Sequence, residues 1–142
     1  MPEQTKRAAS PDLGAWLHRH DWTLYETATN AVEDKEEISG GLRRVKKTQL
    51  RAVINTARMC SSPSTFRGFL EKRAERRRAA GQDTRADFWS ELASQLDYVQ
   101  EEHAEPAVDA AGIPDARADG AEMRVVRAYF EHLISHCHVA DE

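Results

Sequence analysis

The chain has 142 residues, with 20 Lys and Arg against 24 Asp and Glu, 40% hydrophobic residues and two cysteines. A chain of this length is expected to form one domain, which can bury a core without disulfide bonds or a structural metal. No apolar run is long enough to cross a membrane and residues 1–30 show no secretory signal, so a cytoplasmic protein with reduced cysteines is expected.

The first predicted helix follows a polar tail at residues 1–10. Leucine, tryptophan and alanine recur at three- and four-residue spacings from Pro11 onward, with Ser10 as a candidate N-cap. The pattern fits either one helix or two helices that break near Asp21. Residues 33–42 are acidic and then carry two adjacent glycines, which predicts a loop.

Three more helices are predicted in the middle of the chain. An amphipathic segment covers Thr48–Met59, with its first residue as the cap, and a second helix starts after the N-cap Ser62. Gly81 is expected to end that second helix. A pattern similar to a capping box, Thr84 followed by Asp87, then predicts the start of the third helix.

The C-terminal part of the chain is predicted to contain a connection and a final helix. Residues 104–120 hold two prolines, two glycines and many alanines, which predicts a long connection. The final helix is predicted from about Ala121 to Cys137 on an apolar stripe. No segment shows the two-residue alternation of a strand. The sequence therefore predicts an all-α fold, a compact bundle of about five helices in a single domain over residues 11–142.

The charge of the chain is strongly segregated. Between Arg43 and Arg85 lie thirteen cations and three carboxylates, a net charge of +10, whereas the other 99 residues carry 7 cations and 21 carboxylates, a net charge of −14. Such asymmetry within one small domain predicts a side that faces a polyanion and an acidic side.

The cations of this segment are the candidate nucleic-acid-binding residues. No tyrosine or tryptophan is interleaved among them, so we expect contacts to backbone phosphates without base stacking or sequence preference. The candidates are Arg43, Arg44, Lys46, Lys47, Arg51, Arg58, Lys72, Arg73, Arg76, Arg77 and Arg78.

Two other interpretations of the basic segment remain open. The acidic helices of the chain could simply cover the basic ones. Alternatively, the chain could be a helical protein-interaction or regulatory module whose basic face meets an acidic protein partner.

No catalytic or metal-binding constellation is recognisable in the sequence. His132 and His136 have the spacing of two zinc ligands, and His138 follows, but the glutamate expected beside a catalytic pair is missing. Cys60 has no histidine near it in the sequence, and no phosphate-binding glycine motif occurs. We therefore predict no catalytic residue, no metal and no cofactor, and a protein that is not an enzyme.

Three short motifs resemble the small helical subunit of type III CRISPR effector complexes of the Csm kind. The resemblance spans about residues 40–140, and Gln82, His132 and His136 depart from the pattern of that family. The motifs, in chain order, are similar to the opening of a helix, the end of a basic helix and the closing helix: Thr48-Gln49-Leu50-Arg51, Ala79-Ala80-Gly81 and Tyr129-Phe130-Glu131-x-Leu133-Ile134.

The resemblance implies a non-catalytic subunit of an RNA-guided complex. Copies would stack head to tail and line the channel that holds the guide RNA and the target strand, while other subunits of the effector complex supply the chemistry. The nucleic-acid face of the family maps to Arg51, Arg58 and the cluster 72–78, whereas residues 43–47 are included on charge alone.

Overall fold

A computed structural model describes residues 13–140, with side chains described through residue 136. These residues form seven α-helices and a short π-helix, and no strand, so the predicted all-α bundle is confirmed. The sequence pattern predicts about five helices because the segments 33–42 and 104–120, which are mostly helical, resemble connections. The helices are α1 (Leu13–Asp34), α2 (Glu36–Arg44), α3 (Lys47–Met59), α4 (Pro63–Ala79), α5 (Asp83–Val99), the π-helix (Gln100–Ala104), α6 (Glu105–Ala110) and α7 (Asp115–Ala140).

Helix α1 is continuous, without the break that was considered near Asp21. Leu24, Ala28 and Ala31 extend the buried stripe that Leu13 and Trp16 begin, so one face of the helix packs on the core along 22 residues. The predicted tail at residues 1–10, with its Ser10 cap, lies outside the described residues.

The loop predicted at residues 33–42 is wrong, because most of this segment belongs to α2. Gly41 lies inside that helix, and a β-carbon at this position would stand 2.0 Å from Cδ1 of Phe88. The glycine therefore permits α2 to approach α5 closely, although glycine inside a helix costs about 1 kcal/mol relative to alanine. Ile38 and Leu42 are buried on the same helix.

The predicted boundaries of α4 are confirmed by its capping contacts. The Ser62 hydroxyl accepts a hydrogen bond from the backbone N–H of Thr65, and Pro63 is the first helical residue. At the other end Gly81 adopts a φ of 76°, and the N–H groups of Gly81 and Gln82 bond back to the carbonyls of Arg78 and Arg77. This paired arrangement is a Schellman motif, which turns the chain towards α5.

The threonine caps predicted for α3 and α5 are wrong. Helix α3 starts one residue before Thr48, with Lys46 as its N-cap, and α5 starts one residue before Thr84, with Gln82 as its N-cap. Neither N-cap side chain bonds to the first turn, so the backbone N–H groups there lack the usual side-chain acceptor.

The long connection predicted at residues 104–120 is mostly helical, and the final helix starts at Asp115 rather than near Ala121. Pro106 lies in the first turn of α6, directly after the π-helix, and it cannot donate a backbone hydrogen bond to the preceding turn. Ala104, Ala107 and Ala111 are buried, so the alanines that resembled a linker form a small packing face. Because alanine is only weakly hydrophobic, these residues do not form a recognisable apolar stripe in the sequence.

Helix α7 lies at the centre of the bundle and packs against α1, α3 and α4. Its buried face includes Phe130 and Leu133, and Phe130 meets Phe66 of α4 edge to face at 5.1 Å. The Tyr129 hydroxyl donates a hydrogen bond of 2.6 Å to Oε1 of Gln95, which is the buried polar residue of the described core. Burial is the main cause of a raised pKa at this tyrosine, which therefore stays protonated as a donor.

Within residues 13–140 no helix combines the length and apolarity needed to cross a membrane.

Candidate nucleic-acid interface

Four helix ends meet at a small recess that we call the basic cleft. It has a volume of about 120 Å³ and lies where the end of α2, the start of α3, the end of α4 and the start of α5 come together. The residues that line the basic cleft are Arg44, Val45, Lys46, Gln49, Arg77, Arg85 and Trp89.

The fold brings these residues together through two short contacts. The Schellman turn at Gly81 sets the last turn of α4 beside the first turn of α5, which places Arg77 near Arg85. The contact of Gly41 with Phe88 holds the end of α2 against α5, which adds Arg44 to the same recess. Residues far apart in the sequence thereby form one positive surface.

The cations of the basic cleft are largely unpaired. Among the described residues, no carboxylate forms an ion pair with Arg44, Lys46 or Arg85. Arg77 donates a hydrogen bond of 3.0 Å from Nη1 to the neutral amide oxygen of Gln82. Four positive groups therefore line the recess, and no acidic residue is part of its lining. A recess lined by one sign of charge concentrates the electrostatic potential and attracts anions.

Arg73 lies beneath the basic cleft rather than on its rim. Its guanidinium stands 5.1 Å from the ring centre of Phe69 and 5.5 Å from that of Trp89, and it donates a hydrogen bond to Gln49. Burial, followed by repulsion from Arg77 and Arg76, lowers the pKa of Arg73 from its ordinary value. Arg73 thus supports the cleft by packing and orients Gln49 in its lining.

A second basic surface, the α3–α7 groove, lies on the other side of α3. It has a volume of about 450 Å³, with Lys47, Arg51 and Arg58 spaced along α3. Arg58 lies 3.6 Å from the carboxylate of Glu131, and both side chains are exposed, so water screens this contact. The groove is lined by Lys47, Leu50, Arg51, Ile54, Asn55, Arg58, Glu131, Ile134 and Ser135.

The basic cleft and the α3–α7 groove meet at the first turn of α3. Lys46 lines the cleft, and its neighbour Lys47 lines the groove. The two surfaces therefore flank the start of α3.

Other cations of the segment from Arg43 to Arg85 form ion pairs within the chain. Arg78 lies 3.3 Å from Asp87 across the α4–α5 contact, and Arg67 binds both Glu71, at 3.5 Å, and Asp97. We call this arrangement the mixed seam; it consists of Arg67, Glu71, Glu75, Arg78, Asp87 and Asp97.

The remaining candidates are exposed. Lys72 and Arg76 are one helical turn apart on the solvent side of α4. Arg43 is also exposed and lies 3.6 Å from Glu36 of its own helix. The interpretation in which acidic residues cover basic ones therefore applies to Arg43, Arg58, Arg67 and Arg78. Among the described residues, the cations of the basic cleft form no ion pair.

Sequence reasoning missed two residues of the basic cleft. Arg85 was counted among the thirteen cations without being assigned to the binding face, and Gln49 was noted only as part of a motif. The signal for Arg85 was its position four residues before Trp89, which places both on one face of α5. No local pattern identifies Gln49, because its place depends on the contact with Arg73.

Carboxylates collect in a separate part of the molecule, the acidic end, which we define as residues 101–122. This segment carries seven carboxylates and one arginine, a net charge of −6. Glu122 is partly buried, and burial, together with repulsion from Glu105, Asp119 and Asp109, raises the pKa of its carboxyl group, although a hydrogen bond from Gln100 opposes that shift. Glu122, Glu105, Asp109 and Asp119 thus form a local cluster of carboxylates.

The histidines near the C-terminus contact α1. Nε2 of His132 lies 2.8 Å from a carboxylate oxygen of Asp21, and Nε2 of His136 lies 3.3 Å from the Thr29 hydroxyl. Tyr25 stands beside both imidazole rings. Within the described residues there is no group of three side chains that could hold a metal, and the side chain of His138 lies outside them.

Cys60 lies at the end of α3 and is partly buried. Burial raises the pKa of its thiol, whereas a nucleophilic cysteine needs a lowered pKa.

Comparison with known proteins gives no match for this chain among protein-family models, curated proteins or solved structures.

Proposed function

We propose that the chain is a non-catalytic, RNA-binding subunit of a multisubunit nucleoprotein complex, and specifically a small subunit of an RNA-guided effector of the type III CRISPR kind. The observation that carries the binding proposal is the basic cleft, in which Arg44, Lys46, Arg77 and Arg85 converge without a carboxylate in the lining. The resemblance of the three motifs supplies the class of complex.

The contacts would be made to the sugar-phosphate backbone. Arg44 and Arg85 present planar guanidinium groups that can donate paired hydrogen bonds to phosphate oxygens. Trp89 is buried at 1% exposure and closes the floor of the cleft, so it offers no free ring face for stacking a base. Binding of this kind positions a strand and does not read its sequence.

The α3–α7 groove extends the proposed path of the strand. Arg51 and Lys47 are four residues apart, about 6 Å along the helix axis, so both lie on one face of α3. A strand that follows α3 from the cleft would meet these two cations and then Arg58.

The test of binding is a salt titration with fluorescently labelled single-stranded oligouridylate. If on the order of four to six phosphates are neutralised, log K is expected to fall against log salt with a slope of about −3 to −4. The variant Arg44→Ala/Lys46→Ala/Arg85→Ala should bind more weakly to every sequence and reduce the slope by about 2. The matched control Arg19→Ala/Lys35→Ala/Arg117→Ala removes three exposed cations elsewhere and should change affinity little.

One outcome would favour an acidic protein partner instead. If the cleft variant binds RNA as well as the parent, the RNA-binding proposal is wrong. Binding of polyglutamate to the parent and not to the cleft variant would then support the protein-interaction alternative.

The assignment to a guide-RNA complex has its own test. Affinity purification from cells that express a complete type III complex, without nuclease treatment, should recover RNA with the chain. Sequencing of that RNA is expected to return guide sequences, and the cleft variant should recover much less of it. Recovery of the chain free of guide RNA would contradict the assignment.

A further inference from the structure

We propose that the basic cleft is a site for a phosphomonoester dianion, the terminal phosphate of a nucleic-acid strand, rather than for an internal phosphodiester. This inference rests on the proposed function, because it names the part of the strand that the cleft accepts. It rests on the size of the cleft, its charge and the acidic residues beyond it.

The size of the recess suits a small anion such as a phosphate group. Its volume is about 120 Å³. Sites for nucleosides and similar small molecules have volumes of roughly 300–1,000 Å³. The α3–α7 groove, at about 450 Å³, falls in that range, whereas the basic cleft does not.

The charge of the recess favours a dianion. Four cations and no carboxylate line the recess itself, although Arg44 and Arg85 also border the carboxylates of a neighbouring depression. A phosphodiester supplies a single negative charge. A phosphomonoester carries about −1.5 to −2 charges near pH 7 and offers three terminal acceptor oxygens. It therefore satisfies more of the donors of Arg44, Lys46 and Arg85 than an internal phosphate can.

The surroundings of the cleft block one direction of a continuing strand. Arg44, Val45 and Arg85 also line a neighbouring depression of about 140 Å³, whose other walls include three carboxylates. These are Glu36, Glu37 and Asp87. An internal phosphate needs the strand to leave on both sides, and a strand that left over this depression would meet like charge. A terminal phosphate needs only the open approach along α3.

The experiment compares strands that differ only at one end. Oligouridylates with a fluorophore at the 3′ end carry either a 5′-phosphate or a 5′-hydroxyl, and a mirrored pair tests the 3′ end. At about pH 7.5 one of the phosphorylated strands is expected to bind about tenfold more tightly than its hydroxyl counterpart. This preference should shrink at about pH 5.5, because the second pKa of a phosphomonoester is near 6 and protonation removes the second charge.

Matched variants locate the effect. Arg44→Ala/Arg85→Ala should bind the phosphorylated and hydroxyl strands equally. Arg67→Ala/Arg78→Ala removes two arginines from the mixed seam and should keep the tenfold preference. A preference that survives in the cleft variant would place the terminal phosphate elsewhere and overturn the proposal.

A further arm separates a strand terminus from free phosphate. Inorganic phosphate, added at constant ionic strength and followed by broadening of its phosphorus resonance, should bind the parent weakly and the Arg44→Ala/Arg85→Ala variant not at all. Equal affinities for phosphorylated and hydroxyl strands overturn the terminal-phosphate site and leave RNA binding intact. Binding of inorganic phosphate without binding of any strand supports a phosphate site and overturns the proposed function, and binding of neither overturns both.

Discussion

The basic cleft and the mixed seam lie on two neighbouring sides of α4, and both are built with arginine. In the mixed seam Arg67 and Arg78 contact carboxylates of α5, so their charge is neutralised within the chain. In the basic cleft Arg77 donates to the amide of Gln82, and no carboxylate lies within ion-pair distance of Arg77 or Arg85 among the described residues. Arginine therefore joins α4 to α5 in the mixed seam, whereas in the basic cleft it remains available to a ligand.

This difference shows that the number of cations in a segment does not measure its binding surface. The segment from Arg43 to Arg85 has a net charge of +10, yet its cations are divided among the cleft, the groove, the seam and the solvent. What distinguishes them is the residue that the fold places opposite each one. The predictions below test this distinction, from the largest expected effect to the smallest.

Charge reversal should separate the two regions most strongly. Lys46→Glu/Arg85→Glu is expected to weaken RNA binding about 100-fold, which corresponds to about 3 kcal/mol, because two phosphate contacts become repulsive. Arg67→Glu/Arg78→Glu changes the net charge equally but leaves every cation that lines the basic cleft in place, so RNA binding should fall only a few-fold. Binding is measured by fluorescence anisotropy.

Stability should change in the opposite order, so that the seam variant Arg67→Glu/Arg78→Glu loses more than the cleft variant Lys46→Glu/Arg85→Glu. The seam variant loses three surface ion pairs, each worth about 0.2–1 kcal/mol, and gains like-charge contacts, whereas the cleft variant relieves repulsion. Urea unfolding of both variants provides the measurement. If both variants lose RNA affinity equally, net charge alone controls binding and the distinction between cleft and seam is wrong.

The approach of α2 to α5 should matter to the cleft and to stability together. In Gly41→Ala the new β-carbon would overlap the buried ring of Phe88, so we expect a loss of about 2–3 kcal/mol in the free energy of unfolding and weaker RNA binding. Gly68→Ala is the control, because nothing lies within 4 Å of its β-carbon position. It should stabilise α4 by about 0.5–1 kcal/mol and leave binding unchanged. Equal stability of the two variants would show that the contact at Phe88 can relax.

A change in the core should affect neither charged region directly. Tyr129→Phe removes the donor to Gln95 and leaves a buried amide oxygen without its partner, at a cost of about 1–2 kcal/mol in stability. Tyr98→Phe alters an exposed hydroxyl and should stay within about 0.5 kcal/mol of the parent. RNA affinity of the folded protein should be unchanged in both. A loss of affinity in Tyr129→Phe would mean that the cleft depends on this core contact.

The smallest expected effect is a dependence of stability on pH that does not involve the basic cleft. Burial lowers the pKa values of His103 and His136 in the folded chain, with neighbouring histidines adding to the shift and neighbouring glutamates opposing it. Below their ordinary value of about 6.5 the unfolded chain therefore binds protons more readily than the folded one. Stability should fall by on the order of 1 kcal/mol or less between about pH 7 and pH 5.

Thermal unfolding across this pH range tests the histidine effect. His103→Gln should flatten the profile, because it removes one of the two groups, whereas the exposed His18→Gln should not. A profile that is flat in the parent would contradict the buried state of both imidazoles.

The sequence predicted those parts of the fold that depend on local chemistry. The apolar stripes of α1, α3, α4 and α5 and the cap at Ser62 lie where the pattern placed them, because periodicity and capping are properties of a few adjacent residues. The segments taken for connections failed for a different reason. Position 41 needs glycine because the ring of Phe88 leaves no room for a β-carbon. Ala104 and Ala107 are buried by residues that are distant in the sequence.

The sequence predicts which segment carries the candidate site, but it does not predict how the side chains of that segment are arranged in space. Residue type and spacing indicated a basic surface, and they could not show that Arg73 would lie over two aromatic rings or that Arg78 would meet Asp87. Those outcomes depend on which helices become neighbours. The inclusion of Arg85 depends on the turn at Gly81, whose presence was predicted but whose direction was not.

The contact between Gly41 and Phe88 has a consequence for how the sequences of distant relatives can diverge. A cation on the rim of the cleft can be exchanged for one at a nearby position while the helices stay in place, whereas a β-carbon at position 41 would push α2 away from α5. Relatives that keep the cleft are therefore expected to vary in the number and order of their arginines and to retain a glycine in the second helix opposite an aromatic ring. A search pattern built on that pair, rather than on basic runs, should recover them across large evolutionary distances.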